Sequence, residues 1–312
     1  MFLSIIQLSL VSVLLLSLAG YLGRSHRYAE LTSHFRVQYL LASAACLALC
    51  LFYEEWGWAS GAALGVALNL VAVAPWYAGG NKRASNGRRV KLMLANVNSA
   101  NTRCEDFIAF AQGHAPDVLV VQEVNDAWYG ALESLQRHYP FSEAHPRDGG
   151  SGMALYSRFR FERSTIVLPE GDARPCILVK MDIDGVSLSL LSLHPRTPTR
   201  NGHFELRNGM FTDAADVLRN LPAPKICIGD LNITPWSPYY RSFVEQTKLI
   251  NVRKGFGLLP SWPTFLFFKW LMIPLDHCLV SDDIRVADVR TGESNGSDHL
   301  PLIVELELEV ER

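Results

Sequence analysis

The first 78 residues constrain the fold most, because they contain three long apolar runs with few charges. The runs cover Phe2 to Leu22, Val37 to Phe52 and Trp58 to Trp76. A helix of about 20 residues crosses the hydrocarbon core of a bilayer, and these runs approach or reach that length. A cleaved signal peptide fits poorly, since no Lys or Arg precedes the first run and two more runs follow. We therefore predict three transmembrane helices in residues 1–78, with a hydrophobic soluble bundle as the alternative.

The basic residues near these runs predict the orientation of the helices. The loop between the second and third runs carries Glu54 and Glu55 and no Lys or Arg. The other two flanking segments are basic, with Arg24, Arg27 and Arg36 after the first run and Lys82, Arg83, Arg88, Arg89 and Lys91 after the third. Because basic loops are retained in the cytoplasm, we expect an outside N-terminus and a cytoplasmic C-terminal domain. The chain would then be a multi-pass protein of the inner or plasma membrane.

The hydrophobic pattern changes after the third run. Residues 79–89 are rich in Gly, Ser and Asn, which is typical of a flexible linker. From residue 90 to residue 312, short apolar runs alternate with amphipathic stretches, which predicts one mixed α/β domain. Strands are predicted at Val90–Val97, Asp117–Val121, Met153–Tyr156, Ile177–Asp182, Val186–Leu193, the run ending at Asp230, His277–Val280 and Leu302–Glu309. Helices are predicted from Cys104 to Gly113, from an Asn125 cap to about His138, from His203 to Leu218 and from Pro238 to Leu249.

Composition narrows the kind of site that this domain can hold. The net charge of −2 gives no indication of a nucleic-acid-binding surface spread over the chain. The six cysteines form no CxxC pair, which argues against a zinc site and against a disulfide framework. If a metal is bound, carboxylate and amide oxygens are the expected ligands, and these suit Mg²⁺ or Mn²⁺.

Polar side chains recur where the predicted strands end. In the segment Ile226–Asn232, alternation puts Asp230 and Asn232 on the same side, with Leu231 turned away. A carboxylate and an amide presented together can hold water, a cation or a phosphate. Gly, Asp and Asn are also ordinary turn residues, so a plain turn is the alternative for this segment alone. The recurrence along the chain favours a site, and its members are Asn96, Glu123, His194, Asp230, Asn232, Asp276, Asp298 and His299.

Six short motifs contain these residues. They are Asn96-Val97, Gln122-Glu123, Ser192-Leu193-His194, Gly229-Asp230-Leu231-Asn232, Leu275-Asp276-His277 and Ser297-Asp298-His299. In this order they resemble the endonuclease/exonuclease/phosphatase superfamily of DNase I-like nucleases, abasic-site nucleases, neutral sphingomyelinases and inositol polyphosphate 5-phosphatases. The resemblance covers about residues 90–310, and the chain looks like a membrane-anchored bacterial type. It implies an α/β (α+β) four-layer sandwich of two mainly antiparallel sheets flanked by helices, preceded here by three transmembrane helices.

The resemblance also implies a metal site. Glu123 would bind a divalent cation, Mg²⁺ or Mn²⁺, with Asn96 close to the metal or the phosphate and Asp298 as a further ligand. Many nuclease members have an acidic residue two positions after the first Asn, where this chain has Asn98. The missing negative charge favours one metal over two.

The remaining residues receive catalytic roles from the same resemblance. Asp230 would orient and deprotonate the attacking water, with help from Asn232. His299, fixed by Asp276, would hydrogen-bond a phosphate oxygen. His194 would face the phosphate and stabilise the transition state or the leaving oxygen. We therefore expect a membrane-anchored, metal-dependent phosphoesterase, and the alternative is a non-catalytic membrane scaffold that keeps the fold as a binding module.

The substrate is left open between nucleic acid and a phospholipid or inositol phosphate. Basic loops would indicate DNA, and Arg147, Arg158, Arg196 and Arg200 are candidates for such loops. Residues 255–274 contain an aromatic-rich segment that either packs in the core or contacts the bilayer, which would favour a lipid-derived substrate. It contains Trp262, Phe265, Phe267, Phe268, Lys269, Trp270, Leu271 and Met272.

Overall fold

The computed structural model describes residues 2–79, 87–169, 171–172, 174–265 and 268–309. Residues 2–79, here called the N-terminal segment, contain the helices α1 (Phe2–Ala19), α2 (Arg27–Thr32), α3 (Arg36–Phe52) and α4 (Trp56–Val73). By length and composition, three stretches could cross a membrane: Phe2–Leu22, Arg27–Phe52 and Trp56–Trp76. They contain the three predicted runs. The predicted linker lies largely outside the described residues.

The described residues from 87 to 309 form the C-terminal domain, whose strands build two sheets of six. Its helices are α5 (Cys104–His114), α6 (Asp126–Leu132), α7 (His203–Asn220) and α8 (Pro238–Thr247). Its strands are β1 (Arg88–Asn96), β2 (Val118–Gln122), β3 (Phe141–His145), β4 (Met153–Ser157), β5 (Phe161–Val167), β6 (Cys176–Ile183), β7 (Val186–Leu193), β8 (Lys225–Asp230), β9 (Ile250–Asn251), β10 (Asp276–Val280), β11 (Arg285–Thr291) and β12 (Leu302–Leu308).

The strand order makes both sheets mixed and mainly antiparallel. The first sheet has the order β11-β12-β1-β2-β4-β3, and the second has the order β5-β6-β7-β8-β10-β9. One pair in each sheet is parallel, β1 with β2 and β7 with β8. The other paired strands are antiparallel. The predicted sandwich of two mainly antiparallel sheets is therefore confirmed.

Four layers follow from where the apolar side chains are buried. One face of each sheet contributes to a shared core between the sheets, which includes Leu92, Val120, Leu190 and Ile228. The outer face of the first sheet is covered by α5 and α6, with Phe107 and Trp128 in that core. The outer face of the second sheet is covered by α7 and α8, with Phe211 and Phe243 in that core.

Most predicted elements are present, and their ends differ by a few residues. Asn125 caps α6 by accepting a hydrogen bond from Trp128 N at 2.9 Å, as predicted. The predicted continuation to His138 is a 3₁₀ helix over Glu133–Arg137. Strands β3, β5, β9 and β11 were not predicted, nor was α2. Each of these strands lies at a sheet edge. In β3, β5 and β11, partly or fully exposed polar positions interrupt the apolar run that marks a buried strand, and β9 has only two residues.

The N-terminal segment packs directly on the C-terminal domain. Glu30 of α2 and Arg207 of α7 form an ion pair at 3.3 Å, and both side chains are completely buried. Trp236 Nε1 donates to Ala72 O at 2.9 Å. The carbonyl oxygen of Trp76 accepts from Gly255 N at 2.9 Å. These contacts fix the helices of the N-terminal segment against the domain, on the side where β8 ends.

Candidate active site

Alternation along the strands directs polar side chains into the gap between the two sheets. Leu92 and Leu94 of β1 face the shared core, so Asn96 continues the same face at the strand end. Ile228 of β8 faces that core as well, and Asp230 follows it in the same way. The same two-residue period brings Gln122, His194 and Asp276 to this face from β2, β7 and β10. The parallel pairs β1–β2 and β7–β8 end at the same edge. In the antiparallel pair of β8 and β10, Asp276 lies opposite Asp230 in the register.

Asp230 lies at the centre of this edge and is 1% exposed. Its Oδ1 accepts a hydrogen bond from Asn232 N at 2.9 Å, and its Oδ2 accepts one from Asn96 Nδ2 at 3.1 Å. The Nε2 atoms of His194 and His299 lie 3.4 and 3.6 Å from Oδ2. Burial raises the pKa of Asp230, but the charge of His299 and the hydrogen bond of His194 outweigh burial and lower that pKa below its usual range. Asp230 is therefore an ionised carboxylate at neutral pH.

His299 is held in place by Asp276. Its Nδ1 donates to Asp276 Oδ2 at 2.8 Å, which leaves Nε2 facing Asp230. Burial alone would lower the pKa of His299, but the charges of Asp276 and Asp230 outweigh it and raise the pKa to about 10. At neutral pH the ring is therefore an imidazolium, which can donate a hydrogen bond and offset negative charge but cannot accept a proton.

Glu123 presents a carboxylate from the turn after β2. Its Oε1 accepts from Asn96 Nδ2 at 3.0 Å, and its Oε2 accepts from Ser99 N at 3.2 Å. A Cβ at Gly150 would lie 3.2 Å from Oε2, so the backbone passes close to the carboxylate. Each oxygen keeps a lone pair for a further partner.

Asp298 is joined to the end of β1 by Asn98. Its Oδ1 accepts from Asn98 Nδ2 at 2.8 Å, and its Oδ2 accepts from Trp262 Nε1 at 3.0 Å. An ionised acidic residue at position 98 could not donate this hydrogen bond. The neutral amide of Asn98 therefore suits Asp298 as a partner. Its hydrogen bond ties Asp298 to the end of the strand that carries Asn96.

These residues open into one cavity of about 600 Å³. One wall is polar and contains Glu123, His194, Asp230, Asn232, Asp298 and His299. The lining also includes Leu31 and Phe35 of the N-terminal segment. Six of the eight predicted site residues therefore line one cavity. Asp276 lies one hydrogen bond behind it, through His299, and Asn96 donates to both Glu123 and Asp230.

A family model now identifies the domain. The model of the Endonuclease/Exonuclease/phosphatase family matches residues 93–299, about two thirds of the chain. The chain belongs to this family. The match includes every predicted site residue and begins after the N-terminal segment.

Solved structures share the fold of the domain at low sequence identity. D. rerio TDP2 complexed with single-strand DNA product has a TM-score of 0.58 and 16% identity, covering 70% of this chain and 99% of that one. The family protein from Bacteroides vulgatus has a TM-score of 0.59 and 16% identity, covering 71% and 100%. The human Nocturnin catalytic domain with bound sulfate has a TM-score of 0.54 and 17% identity, covering 71% and 94%. No curated protein matches the chain.

Two residues of this family member were missed as site residues from the sequence. Gln122 crosses the gap between the sheets, donating to Leu193 O at 3.0 Å and accepting from Asp230 N at 2.8 Å. Arg174 lines the cavity and donates to His194 O at 3.3 Å. Gln122 could have been found from its place in the strand alternation. Arg174 follows no motif, and only its position in the fold reveals it.

Two arginines of the predicted basic loops form ion pairs, and the aromatic-rich segment is partly buried and partly exposed. Arg158 pairs with Asp117 at 3.4 Å, where β2 begins, and Arg196 pairs with Asp172 at 2.9 Å. In the aromatic-rich segment, Trp262 is half-buried and Met272 is buried. Phe265, Phe268 and Trp270 are exposed, whereas Phe267 lies outside the described residues.

Proposed function

We propose that the chain is a membrane-anchored, divalent-metal-dependent phosphoesterase that cleaves a phosphate ester by in-line attack of water. The observation that carries this proposal is the position of Asp230. It is an ionised, buried carboxylate with two histidine Nε2 atoms within 3.6 Å and a second carboxylate, Glu123, joined to it through Asn96. Phosphoryl transfer needs an oriented water and positive charge around the phosphorus oxygens, and this set can supply both.

The donor set fits Mg²⁺ or Mn²⁺. Glu123 and Asp298 offer hard carboxylate oxygens, and the neighbouring Asn96 is an amide. Asp230, Asp276 and His299 also offer ligand atoms within 4.8 Å of one another, but the hydrogen bond between Asp276 and His299 occupies that pair. We therefore assign the ion to Glu123, with Asp298 and Asn96 beside it. When bound, the ion would offset charge on the phosphate oxygens.

The chain's own residues account for the proton movements. Asp230 would hold the attacking water by accepting its hydrogen bond, oriented by Asn232 N. As the water oxygen bonds to phosphorus, the phosphorus–oxygen ester bond breaks, and one water proton passes to Asp230. His299 would donate a hydrogen bond to a phosphate oxygen, and His194 would protonate the leaving oxygen. The products are an alcohol and a phosphate.

The alternative is a non-catalytic membrane scaffold. Asp230, Asp276 and His299 are each at most 5% exposed. Burying ionised groups costs several kcal/mol per ion, which a binding module has no need to meet. The buried charges therefore favour catalysis over a scaffold.

The same proposal includes location and partners. Anchoring in the membrane rests on the three apolar stretches of the N-terminal segment. Arg36 is buried and donates to Ser17 O at 2.9 Å, so Arg24 and Arg27 carry the basic character of the first loop. A C-terminal reporter active only in the cytoplasm should give signal. The candidate substrates are nucleic acid, whose single-strand product is bound in the D. rerio TDP2 complex, and phospholipids or inositol phosphates.

Hydrolysis of bis-p-nitrophenyl phosphate tests the proposed function. The full chain in detergent should hydrolyse it with Mg²⁺, and Asp230→Asn should lower kcat by about 10²-fold or more. Asp117→Asn is the matched control, because this carboxylate lies at the opposite end of β2 and pairs with Arg158. A folded wild-type chain that hydrolyses no phosphate ester with either metal would support the scaffold instead.

A further inference from the structure

The cavity has two chemically different walls. The polar wall carries the residues proposed to hold phosphate and water. The apolar lining residues, here called the apolar wall, include Leu31 and Phe35 of the N-terminal segment and Ile273 and Leu275 of the C-terminal domain. Ile273 and Leu275 are buried, whereas Phe35 is 39% exposed. A ligand that fills this cavity therefore contacts both polar groups and hydrocarbon.

The N-terminal half of the apolar wall is held in place by buried polar contacts. Glu30 pairs with Arg207 at 3.3 Å, and His34 Nδ1 lies 2.8 Å from Thr234 Oγ1. These anchor residues stand one position before Leu31 and one before Phe35. Both ends of the turn that carries Leu31 and Phe35 are thus fixed to the C-terminal domain. The apolar wall is a built part of the cavity.

The apolar wall is continuous with a stretch that can cross a membrane. Leu31 and Phe35 lie within Arg27–Phe52, and Phe35 immediately precedes α3. Gln38 of α3 donates to Trp270 O at 3.0 Å, which places the exposed rings of Phe268 and Trp270 beside the same helix. Exposed aromatic side chains therefore lie beside the start of α3, the helix that follows Phe35.

Charge and size at the cavity do not suit a nucleic-acid strand. Among the described residues that line it, Arg174 is the only Lys or Arg, whereas three lining residues are acidic: Glu123, Asp230 and Asp298. Strand binding uses an extended basic groove with aromatic stacking platforms. A volume of about 600 Å³ is that of a small-molecule site.

We propose that the substrate is a lipid phosphate ester drawn from the bilayer, with its phosphate on the polar wall and the start of its hydrocarbon chain on the apolar wall. This rests on the proposed function and adds the substrate class to it. The reaction is the same hydrolysis: water adds to phosphorus, the ester bond to the departing alcohol breaks, and that alcohol leaves protonated. Leu31 and Phe35 are then specificity-determining residues.

Two esters with the same leaving group test this assignment. Full-length protein in nanodiscs is given ethyl p-nitrophenyl phosphate or decyl p-nitrophenyl phosphate with Mg²⁺, and the ratio of the two kcat/KM values is measured. Wild type should favour the decyl ester. Leu31→Ser and Phe35→Ser should each lower the ratio by about tenfold, the low end for losing burial against one large apolar side chain. Phe35→Leu should restore most of it.

The matched control is Tyr28→Ser, which alters an exposed residue of α2, the helix that carries Leu31, outside the cavity. It should keep the wild-type ratio, so that partitioning of the decyl ester into the nanodisc is accounted for. Each ratio is taken on one preparation, so unfolded protein cancels from it.

The outcomes separate this inference from the proposed function. Hydrolysis of both esters without a decyl preference, or a ratio unchanged by Leu31→Ser and Phe35→Ser, overturns the lipid substrate and leaves a phosphoesterase. A higher kcat/KM on a single-stranded oligonucleotide than on the decyl ester overturns it as well. If neither ester nor the oligonucleotide is hydrolysed, the proposed function itself is overturned.

Discussion

Asp276 accepts a hydrogen bond from His299 Nδ1 at 2.8 Å, and both side chains are buried. This pair keeps the imidazole charged and aims its Nε2 at Asp230. Asp276→Asn removes the charge that raises the pKa of His299, so it should lower kcat by about 10²–10³-fold with a smaller change in KM. Initial rates on bis-p-nitrophenyl phosphate over a range of concentrations give both parameters.

The double variant decides whether the two residues act as one unit. Adding His299→Ala to Asp276→Asn should lower kcat little further, because the first change already disables the ring. Thermal unfolding of each variant serves as the control for folding. Two single effects that simply multiply would mean that Asp276 and His299 act separately.

Metal removal should abolish activity, and Glu123 should set the metal affinity. EDTA is expected to stop hydrolysis, and Mg²⁺ or Mn²⁺ to restore it. Glu123→Gln replaces an anionic ligand by a neutral amide, so the Mg²⁺ concentration for half-maximal rate should rise by at least about tenfold. Glu143→Gln is the control, since Glu143 is a half-buried glutamate that accepts from Ser164 on a neighbouring strand. Full activity in metal-free buffer would rule out the metal-dependent mechanism.

The ion pair of Glu30 with Arg207 should make the N-terminal segment necessary for the stability of the domain. Both side chains are completely buried, so removing one leaves the other unpaired. Glu30→Gln or Arg207→Gln should each cost about 3–5 kcal/mol, and the double variant should cost less than the two together. Chemical unfolding in detergent measures these changes. Arg27→Gln changes a half-buried residue that donates to Asn201 and should change stability by less than about 0.5 kcal/mol. Equal losses in all three single variants would contradict the buried pair.

His277 should make the domain less stable in acid. Burial and the charge of Arg253 lower the pKa of His277 to about 3, against about 6.5 when unfolded. Between these values the unfolded chain binds a proton that the folded chain excludes, so stability falls as the pH drops. From pH 7 to pH 5 the loss from this residue is about 2 kcal/mol. His277→Gln should reduce the dependence of unfolding on pH by that amount, and an unchanged dependence would show that another group causes it.

The repeat of apolar and polar residues along the sequence predicted the elements whose position depends on that repeat alone. Alternation predicted the inward direction of Asp230, the last residue of β8. Asn232 lies beyond the strand, and a turn in which its N donates to Asp230 Oδ1 at 2.9 Å brings it to the same cavity. Edge strand β3, with the sequence Phe-Ser-Glu-Ala-His, has no apolar run and was missed. Arg174 and the pair of Glu30 with Arg207 depend on residues that meet only through the tertiary fold, 177 positions apart in the second case. No spacing in the sequence marks such contacts, so the closing of the cavity by the N-terminal segment could not be predicted.

The exposed aromatic residues beside α3 should lie at the bilayer surface. Phe268 and Trp270 stack with ring centroids 5.5 Å apart, and the backbone of Trp270 is bonded to Gln38 of α3. Interfacial Trp residues sit at the headgroup level, where brominated lipids quench their fluorescence. In nanodiscs of brominated lipid, Trp270→Phe should remove part of the quenched emission. Trp128→Phe is the matched control, because Trp128 is buried under α6 and should contribute only unquenched emission. If Trp270→Phe leaves the quenched fraction as it was, the aromatic segment faces water, and the bilayer route to the cavity loses this support while the phosphoesterase chemistry stands.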